Sequence, residues 1–220
     1  MKRESAARRE VPTSPVDTPL TRDRIVAAAE DVLRRFGPAK ATVVDVARAL
    51  GVSHAAVYRH VATKAELRDL VVSRWAEATL PPLRAIASGP GPAPQRLRRL
   101  IDALIAVKRR RAADDPELFA AYRTLSADAQ SIVAAHIEEL VGLAAMVIRS
   151  GVQEGTFRAL DPVAAARAVL FATSRFHHPA HAAEWADPAI DAAYNDVWQV
   201  LMNGLCIAKR AVRAGRGSKL

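Results

Sequence analysis

Residues 42–67 read TVVDVARALGVSHAAVYRHVATKAEL, the pattern of two short helices joined by a tight turn. Apolar residues at helical spacing place Val46 and Leu50 on one face of the first helix. Gly51 can take the left-handed conformation that ends a helix, and Ser53 can cap the amides that open the next one. A helix pair joined in this way can lay its second helix in the major groove of DNA. The stretch therefore predicts a helix-turn-helix motif.

Helices are also expected on both sides of the motif. Thr63 and Glu66 have the spacing of a capping box, which predicts that a fourth helix begins near Lys64. Ahead of the motif, apolar residues at helical spacing predict a first helix capped by Thr18 or Thr21 and stopped by Gly37-Pro38. The predicted core of this three-helix unit is Ile25, Val32, Phe36, Val46, Leu50, Val52, Val57 and Leu67.

Several residues of the motif fall at the spacing seen in one known family. They are Thr42, Ala47, Gly51, Val52, Ser53, Tyr58, His60, Lys64 and Leu67. The first third of the chain, from near Thr21 into helix four, therefore resembles the TetR family of bacterial transcriptional regulators. Val61 departs from the family pattern, which usually has an aromatic residue after the histidine. The smaller side chain is expected to weaken packing between the second helix of the motif, the recognition helix, and helix four, without removing a DNA contact.

The composition favours an all-α protein. Half of the 220 residues are hydrophobic, few are aromatic, and no run of alternating β-branched residues predicts a strand. The net charge of +9 suggests a polyanionic partner. The single cysteine, Cys206, excludes an internal disulfide, and we find neither a signal peptide nor a segment apolar over the length of a membrane span. The sequence therefore predicts a cytoplasmic protein that does not contact a membrane.

The chain is expected to contain two domains and about nine helices. The predicted segments are a flexible basic arm (1–18), the helix-turn-helix domain (19–66), an effector-binding and dimerisation domain (67–214) and a tail (215–220). The arm is interpreted as a solvated terminus in preference to an additional DNA contact. Helix four crosses the domain boundary, so we expect it to link the two domains mechanically.

Proline and capping residues predict the limits of the later helices. Asp115-Pro116, Asp161-Pro162 and Asp187-Pro188 each pair a capping residue with proline at the first helical position. Pro81-Pro82 is expected to end helix four, and Ser126 to cap the long helix that follows. The family resemblance implies that residues 162–177 and 188–212 pack against a second copy as a four-helix bundle. Such a homodimer would bind double-stranded DNA at an inverted-repeat operator.

The candidate DNA contacts separate by their chemistry. The resemblance and the donor groups of Thr42, Tyr58, His60 and Lys64 predict contacts to phosphate oxygens. The residues that open the recognition helix are expected to reach base edges, and a methyl group can meet thymine. These base-reading candidates are Ser53, His54 and Ala55.

Candidate effector contacts lie on the middle helices of the second domain. They are Lys108, Tyr122, Arg123 and His136. Lys108 and Arg123 can pair with a carboxylate ligand, although solvated faces explain them equally well. For His136 the favoured interpretation is a core histidine bonded to a nearby backbone carbonyl.

A histidine-rich turn is the only candidate for a metal site. His177 and His181 can share a helix face, which with a carboxylate would suit zinc or nickel. Pro179 interrupts that helix, so capping and turn packing are preferred for these residues and for His178. No metal, cofactor or catalytic residue is predicted, since the sequence also lacks a phosphate-binding glycine loop and a nucleophile elbow.

These features predict a DNA-binding transcriptional regulator, most simply a repressor released from its operator by a small-molecule effector. The alternatives left open are a regulator without an effector, an architectural DNA binder and, as the contrasting class, a metal-dependent enzyme.

Overall fold

A computed structural model describes residues 19–207, so the predicted arm (1–18) and tail (215–220) lie outside the described residues. Within that range the chain forms eleven α-helices and no strand, which confirms the all-α prediction. They are α1 (Arg22–Lys40), α2 (Val43–Leu50), α3 (His54–Tyr58), α4 (Lys64–Glu77), α5 (Leu80–Ser88), α6 (Ala93–Asp114), α7 (Pro116–Asp128), α8 (Gln130–Gln153), α9 (Pro162–Ala172), α10 (Ser174–His177) and α11 (Ile190–Leu205), with a 3-10 helix over Pro179–Glu184.

Contacts divide the chain into two compact units, with the division after Leu67 inside α4. The first unit begins with α1, whose N-terminal amides are capped by the Thr21 hydroxyl. Gly37 interrupts α1 with a left-handed φ of 70°, where the sequence predicted the stop. Ile25 and Val32 are buried as expected, but Phe36 is 51% exposed, so its assignment to the core was wrong. Phe36 lies at the last residue before the break, where the helix no longer directs side chains into the core.

The helix-turn-helix forms with the predicted local chemistry. Thr42 and Asp45 make a reciprocal capping box at the start of α2. Gly51 ends α2 with a left-handed φ of 67°, and the Ser53 hydroxyl accepts a hydrogen bond from the Ala56 amide at 3.2 Å to cap α3. Val57 is fully buried, which fixes the orientation of the short α3.

The second unit has its core between α5, α6, α8, α9 and α11. The largest fully buried side chains there include Leu83, Leu97, Ile101, Ile148 and Phe157. Phe157 lies against Gly151, where an added Cβ would come within 2.2 Å of the ring, so only glycine allows this approach. The unit therefore packs its helices around one apolar core.

One statement made from the sequence needs correction. Among residues 19–207, α8 is long and apolar enough to cross a membrane by length and composition, with a mean hydropathy of 1.7 over its most apolar stretch. The same helix places Leu140, Val141, Ala144 and Ile148 in the core of the second unit. Core packing therefore accounts for its apolar residues, and the helix is weak evidence for a membrane span.

Several helix limits also differ from the prediction. Pro81-Pro82 lies in the first turn of α5 instead of ending α4, since proline suits a helix start as well as the region after an end. Ser126 lies inside α7 and does not cap α8. The helix expected over residues 162–177 is divided at Thr173 into α9 and α10, so eleven helices replace the nine expected.

The Asp-Pro pairs predicted the beginnings of helices more closely than Pro81-Pro82 and Ser126 predicted helix limits. Asp115 caps α7 through the Leu118 amide, and Asp161 caps α9 through the Val163 amide. Asp187 accepts a hydrogen bond from the Ala189 amide, and α11 begins just afterwards at Ile190. The α11 helix is described to Leu205, and the remainder of the predicted 188–212 segment beyond residue 207 lies outside the described residues.

Candidate functional site

The exposed face of α3 carries the candidate base-reading residues. Ser53, His54, Ala55 and Tyr58 are exposed, whereas the intervening Val57 is buried. The rings of His54 and Tyr58 meet edge to face with their centroids 5.7 Å apart. One helix face therefore presents hydroxyl, imidazole, methyl and phenol groups to solvent.

Thr42 is exposed but its hydroxyl already has internal partners. The hydroxyl donates to Asp45 Oδ2 at 2.6 Å and accepts from the Asp45 amide at 3.1 Å. These bonds from Thr42, with a smaller contribution from Arg48, hold the pKa of the Asp45 carboxyl below its usual value. To donate to a phosphate, the Thr42 hydroxyl would have to exchange Asp45 for the phosphate oxygen.

Arg22 positions the turn between α3 and α4, a role that sequence reasoning missed. Its Nε donates to the His60 carbonyl at 3.0 Å, and its Nη2 pairs with Glu66 at 3.0 Å. Glu66 in turn accepts from the Ala62 amide at 2.7 Å, while the Thr63 hydroxyl accepts from the Glu66 amide. The turn that carries His60 and leads to the exposed Lys64 is therefore held by a network reaching back to α1.

Val61, the departure from the family pattern, lies inside this region with only 1% of its surface exposed. Val57 and Leu67 of the same unit are buried as well. An aliphatic side chain therefore occupies an interior position where the family usually has an aromatic one.

In the second unit, one cavity brings together all four candidate effector residues. This main cavity has a volume of about 650 Å³, and its walls come from α6, α7, α8 and the segment around α10. Lys108, Tyr122, Arg123 and His136 line it, together with His177 and His178 from the histidine-rich turn. The first four were predicted from the sequence, but the two histidines were not, because only metal binding and turn packing were considered for them.

Lys108 is a buried cation on the cavity wall, with 4% of its surface exposed. Burial, and to a smaller extent the nearby Arg111, lowers the pKa of Lys108 to about 8, so it remains largely protonated at neutral pH. Its Nζ lies 5.9 Å from the centre of the Tyr122 ring. No acidic side chain within residues 19–207 forms an ion pair with it.

His136 is buried, and neither ring nitrogen has a hydrogen-bond partner. The expected bond to a backbone carbonyl is therefore absent, and that interpretation was wrong. Burial, with smaller effects of Lys108 and Arg111, lowers the pKa of His136 to about 4, which keeps the ring neutral at neutral pH. A neutral imidazole offers one donor and one acceptor to the cavity.

The histidine-rich turn serves the fold as capping and packing. His178 accepts from the Ala180 amide at 3.2 Å, and His181 pairs with Glu184 at 2.7 Å. His177 is buried against the Thr173 hydroxyl at 3.3 Å, and burial, followed by the charge of Lys108, lowers its pKa to about 3. No group of His, Cys, Asp and Glu able to hold a metal occurs in the described part of the chain.

A second cavity of about 740 Å³ adjoins the main one. The two share the lining residues Ile137, Leu140, His177, His178 and Ala180. Beyond them the second cavity is lined by Val141, Ala168, Leu170 and Phe171 and by the polar Arg167, Ser174 and His181. Arg167 is paired with Glu138 at 2.6 Å, so the second cavity adds mainly apolar wall to the buried cation of the main one.

The main cavity is connected to α4 by aromatic stacking. Tyr122 on its wall stacks on Trp75 of α4, with ring centroids 5.0 Å apart and an interplanar angle of 22°. The Arg111 guanidinium lies 4.9 Å from the Trp75 ring and donates to the Trp75 carbonyl at 2.6 Å. The cavity wall therefore contacts the part of α4 that belongs to the second unit.

Comparison with known proteins assigns the family. The model described as bacterial regulatory proteins, tetR family, matches residues 25–71. The model described as tetracyclin repressor-like, C-terminal domain, matches residues 93–198. Together these matches cover well over half of the chain. The chain belongs to the TetR family of bacterial transcriptional regulators.

Solved structures of TetR-type regulators share the whole fold. SmeT, the repressor of the Stenotrophomonas maltophilia multidrug efflux pump SmeDEF, superposes with a TM-score of 0.65 at 19% identity, covering 91% of this chain and 98% of SmeT. FadR from Bacillus subtilis, solved in complex with stearoyl-CoA, gives a TM-score of 0.63 at 15% identity, covering 83% of this chain and 98% of FadR. At these identities the likeness establishes the fold alone. No curated protein sequence matches this TetR-family chain significantly.

Proposed function

We propose that this TetR-family chain is a cytoplasmic repressor that binds an inverted-repeat operator as a homodimer and is released by a small-molecule effector. In this proposal residues 19–66 are the DNA-binding domain, and residues 67–214 bind the effector and form the dimer. The observation that carries the proposal is α4 itself, which begins directly after the DNA-binding motif and carries Trp75, stacked on the cavity wall.

The exposed face of α3 supports DNA binding. Ser53, His54 and Ala55 open the helix and are proposed to contact base edges in the major groove. Thr42, Tyr58, His60 and Lys64 flank them and are proposed to contact phosphates, which position the helix without reading sequence. The buried Val57 and the Arg22 network keep the exposed face in a fixed orientation.

Exposed apolar side chains support a dimer through α9 and α11. Phe171 is 84% exposed and Val200 is 73% exposed, with Val163 also exposed on α9. Large apolar groups at such exposure favour burial against another surface. We therefore propose residues 162–177 and 188–212 as the homodimer interface.

The adjoining cavities support an effector site. Their volumes fall in the range of small-molecule pockets, and the walls are apolar with a few polar groups. One relative was solved with triclosan and another with stearoyl-CoA. We propose that Lys108, Tyr122, Arg123 and His136 contact the effector. A ligand that shifts Tyr122 would move Trp75, and α4 would carry the change to the DNA-binding domain by population shift.

A gel shift with the DNA upstream of the chain's own gene tests the proposal. Purified protein should give a discrete complex that survives excess non-specific DNA, and a metabolite library should contain compounds that release it. Lys64→Ala should weaken the complex, while Arg110→Ala, which removes one positive charge from the exposed surface of α6, should leave it intact. The proposal would be contradicted if the upstream DNA bound no more tightly than non-specific DNA, whichever ligand was present.

A further inference from the structure

We propose that the effector is an apolar monocarboxylate whose carboxylate pairs with Lys108 and whose apolar part extends into the second cavity. The inference rests on the proposed function of the adjoining cavities as the effector site, and it adds the chemical class of the ligand.

Lys108 carries a buried positive charge without an acidic partner. A buried ammonium is costly unless an anion or several hydrogen bonds compensate it. The groups around Lys108 are the Tyr122 ring, the neutral imidazoles of His136 and His177, and Arg111, which adds a further positive charge. No residue that lines either cavity is acidic. The site therefore attracts an anion and repels a cation.

His136 has unused hydrogen-bonding capacity. Both ring nitrogens are buried without a partner, although buried polar atoms are usually hydrogen-bonded. Because burial keeps this ring neutral, it can donate one N–H to a carboxylate oxygen without adding charge. Lys108 and His136 line the same cavity, so an ion pair and a neutral hydrogen bond can serve the two oxygens of one carboxylate.

The lining becomes more apolar from the main cavity to the second one. Lys108, His136 and Tyr122 line the main cavity alone, whereas the second cavity adds Val141, Leu170 and Phe171, together with Arg167, whose charge is paired with Glu138. A ligand that spans both needs one anionic end and an apolar body. A small hydrophilic anion would leave the apolar end unfilled, and a neutral apolar compound would leave Lys108 uncompensated.

Arg123 and Arg167 also line the cavities, but both are exposed, and Arg167 is already paired with Glu138. An ion pair with an exposed cation contributes little, because it forms in high dielectric. Lys108 is enclosed, so its interaction with a carboxylate is screened far less. The affinity for a carboxylate should therefore depend on Lys108 much more than on Arg123.

Calorimetric titration of the full chain tests this directly. The probes are decanoate and naphthoate, each beside the alcohol and the amine with the same apolar part. Wild type should bind at least one carboxylate more tightly than its alcohol, and should bind neither amine. Lys108→Met should weaken carboxylate binding by roughly 10- to 100-fold, whereas Arg123→Gln should change it by less than about threefold.

The same variants separate a binding role from a structural one. Lys108→Met removes a buried charge and keeps the length of the side chain, so the ligand-free variant should unfold at a higher temperature than wild type. Higher thermal stability with lost carboxylate binding is the expected combination. If Lys108→Met does not fold, Lys108→Gln is used, with the same expected loss. Equal carboxylate affinity in wild type and variant, or tighter binding of an amine, would overturn the inference.

The titration contains no DNA, so its outcome is independent of the proposed repressor function. Carboxylates that bind through Lys108 but do not release DNA would uphold the ligand class and count against effector release. Release of DNA by amines or neutral compounds alone, with no carboxylate binding, would overturn the ligand class and leave the repressor proposal standing.

Discussion

Buried imidazoles couple the stability of the second unit to pH. Burial, the charge of Lys108 and the neighbouring His178 lower the pKa of His177 to about 3 from 6.5, and His136 is lowered to about 4. Because the unfolded state binds these protons first, stability is unaffected above pH 6.5 and falls as the pH drops from 6.5 towards the folded-state values. Protonation of either ring therefore opposes folding of the second unit.

His177→Gln tests that linkage. In the variant, the free energy of unfolding should fall less steeply as the pH is lowered. Between the folded-state and unfolded-state pKa values of His177, the slope should decrease by up to roughly 1.4 kcal/mol per pH unit. Urea unfolding from pH 7 downwards measures it. If the free energy of unfolding depends on pH as steeply in the variant as in wild type, His177 is not neutral in the folded protein.

On the DNA-binding unit, base reading and phosphate positioning are separable at single residues. His54→Ala should change which bases are preferred, because the imidazole is proposed to contact base edges. Lys64→Ala should weaken all sequences about equally and reduce the dependence of affinity on salt by about one unit of slope. Selection of bound sequences by each variant, with affinities at two salt concentrations, distinguishes them. Uniform loss in both variants would contradict the division of roles.

At the scale of helices, capping residues and prolines in the sequence predicted where helices begin better than where they end. Asp115-Pro116 and Asp161-Pro162 predicted α7 and α9 because capping and proline geometry act within one turn of the chain. Pro81-Pro82 was misread because the same residue type occurs after one helix and inside the next. Phe36 and Ser126 were misassigned because burial and capping depend on where a helix breaks, which tertiary contacts decide.

The candidate site was predicted in the same uneven way. Lys108, Tyr122, Arg123 and His136 were identified on middle helices, and they do line one cavity. His177 and His178 line it as well, but they are distant in sequence, and only the packing of α10 beside α6 reveals their place. Trp75 carried no sequence signal for its contact with Tyr122, since a stack between two helices has no spacing pattern.

The aromatic stack between α4 and α7 is proposed to transmit effector binding to the DNA-binding domain. Trp75→Leu keeps an apolar side chain at a buried position but removes the stack on Tyr122 and the cation–π contact with Arg111. Trp75 does not line the main cavity, so ligand affinity measured without DNA should remain within about threefold of wild type. The ligand concentration needed to release DNA should rise by about tenfold, because the coupling free energy is reduced. Unchanged release would place the coupling elsewhere in α4.

For the whole molecule, the exposed apolar faces of α9 and α11 predict the oligomeric state. Phe171→Glu and Val200→Glu should each convert a dimer into monomers in sedimentation, because a charge would be buried in the interface. Operator affinity should fall by at least about tenfold, since a monomer contacts only one half-site. Arg110→Glu, an exposed charge change on α6, is the matched control. Dimers that persist in both variants would exclude this interface.

Two copies of this chain are proposed to bind a two-fold symmetric DNA site through α3. Selection of genomic fragments by the purified full chain, followed by footprinting of the bound fragments, tests this most directly. We expect an inverted repeat whose half-sites are centred about one helical turn apart, roughly 34 Å, or a multiple of it. Fragments retained without a shared sequence, or a single unpaired half-site, would contradict it.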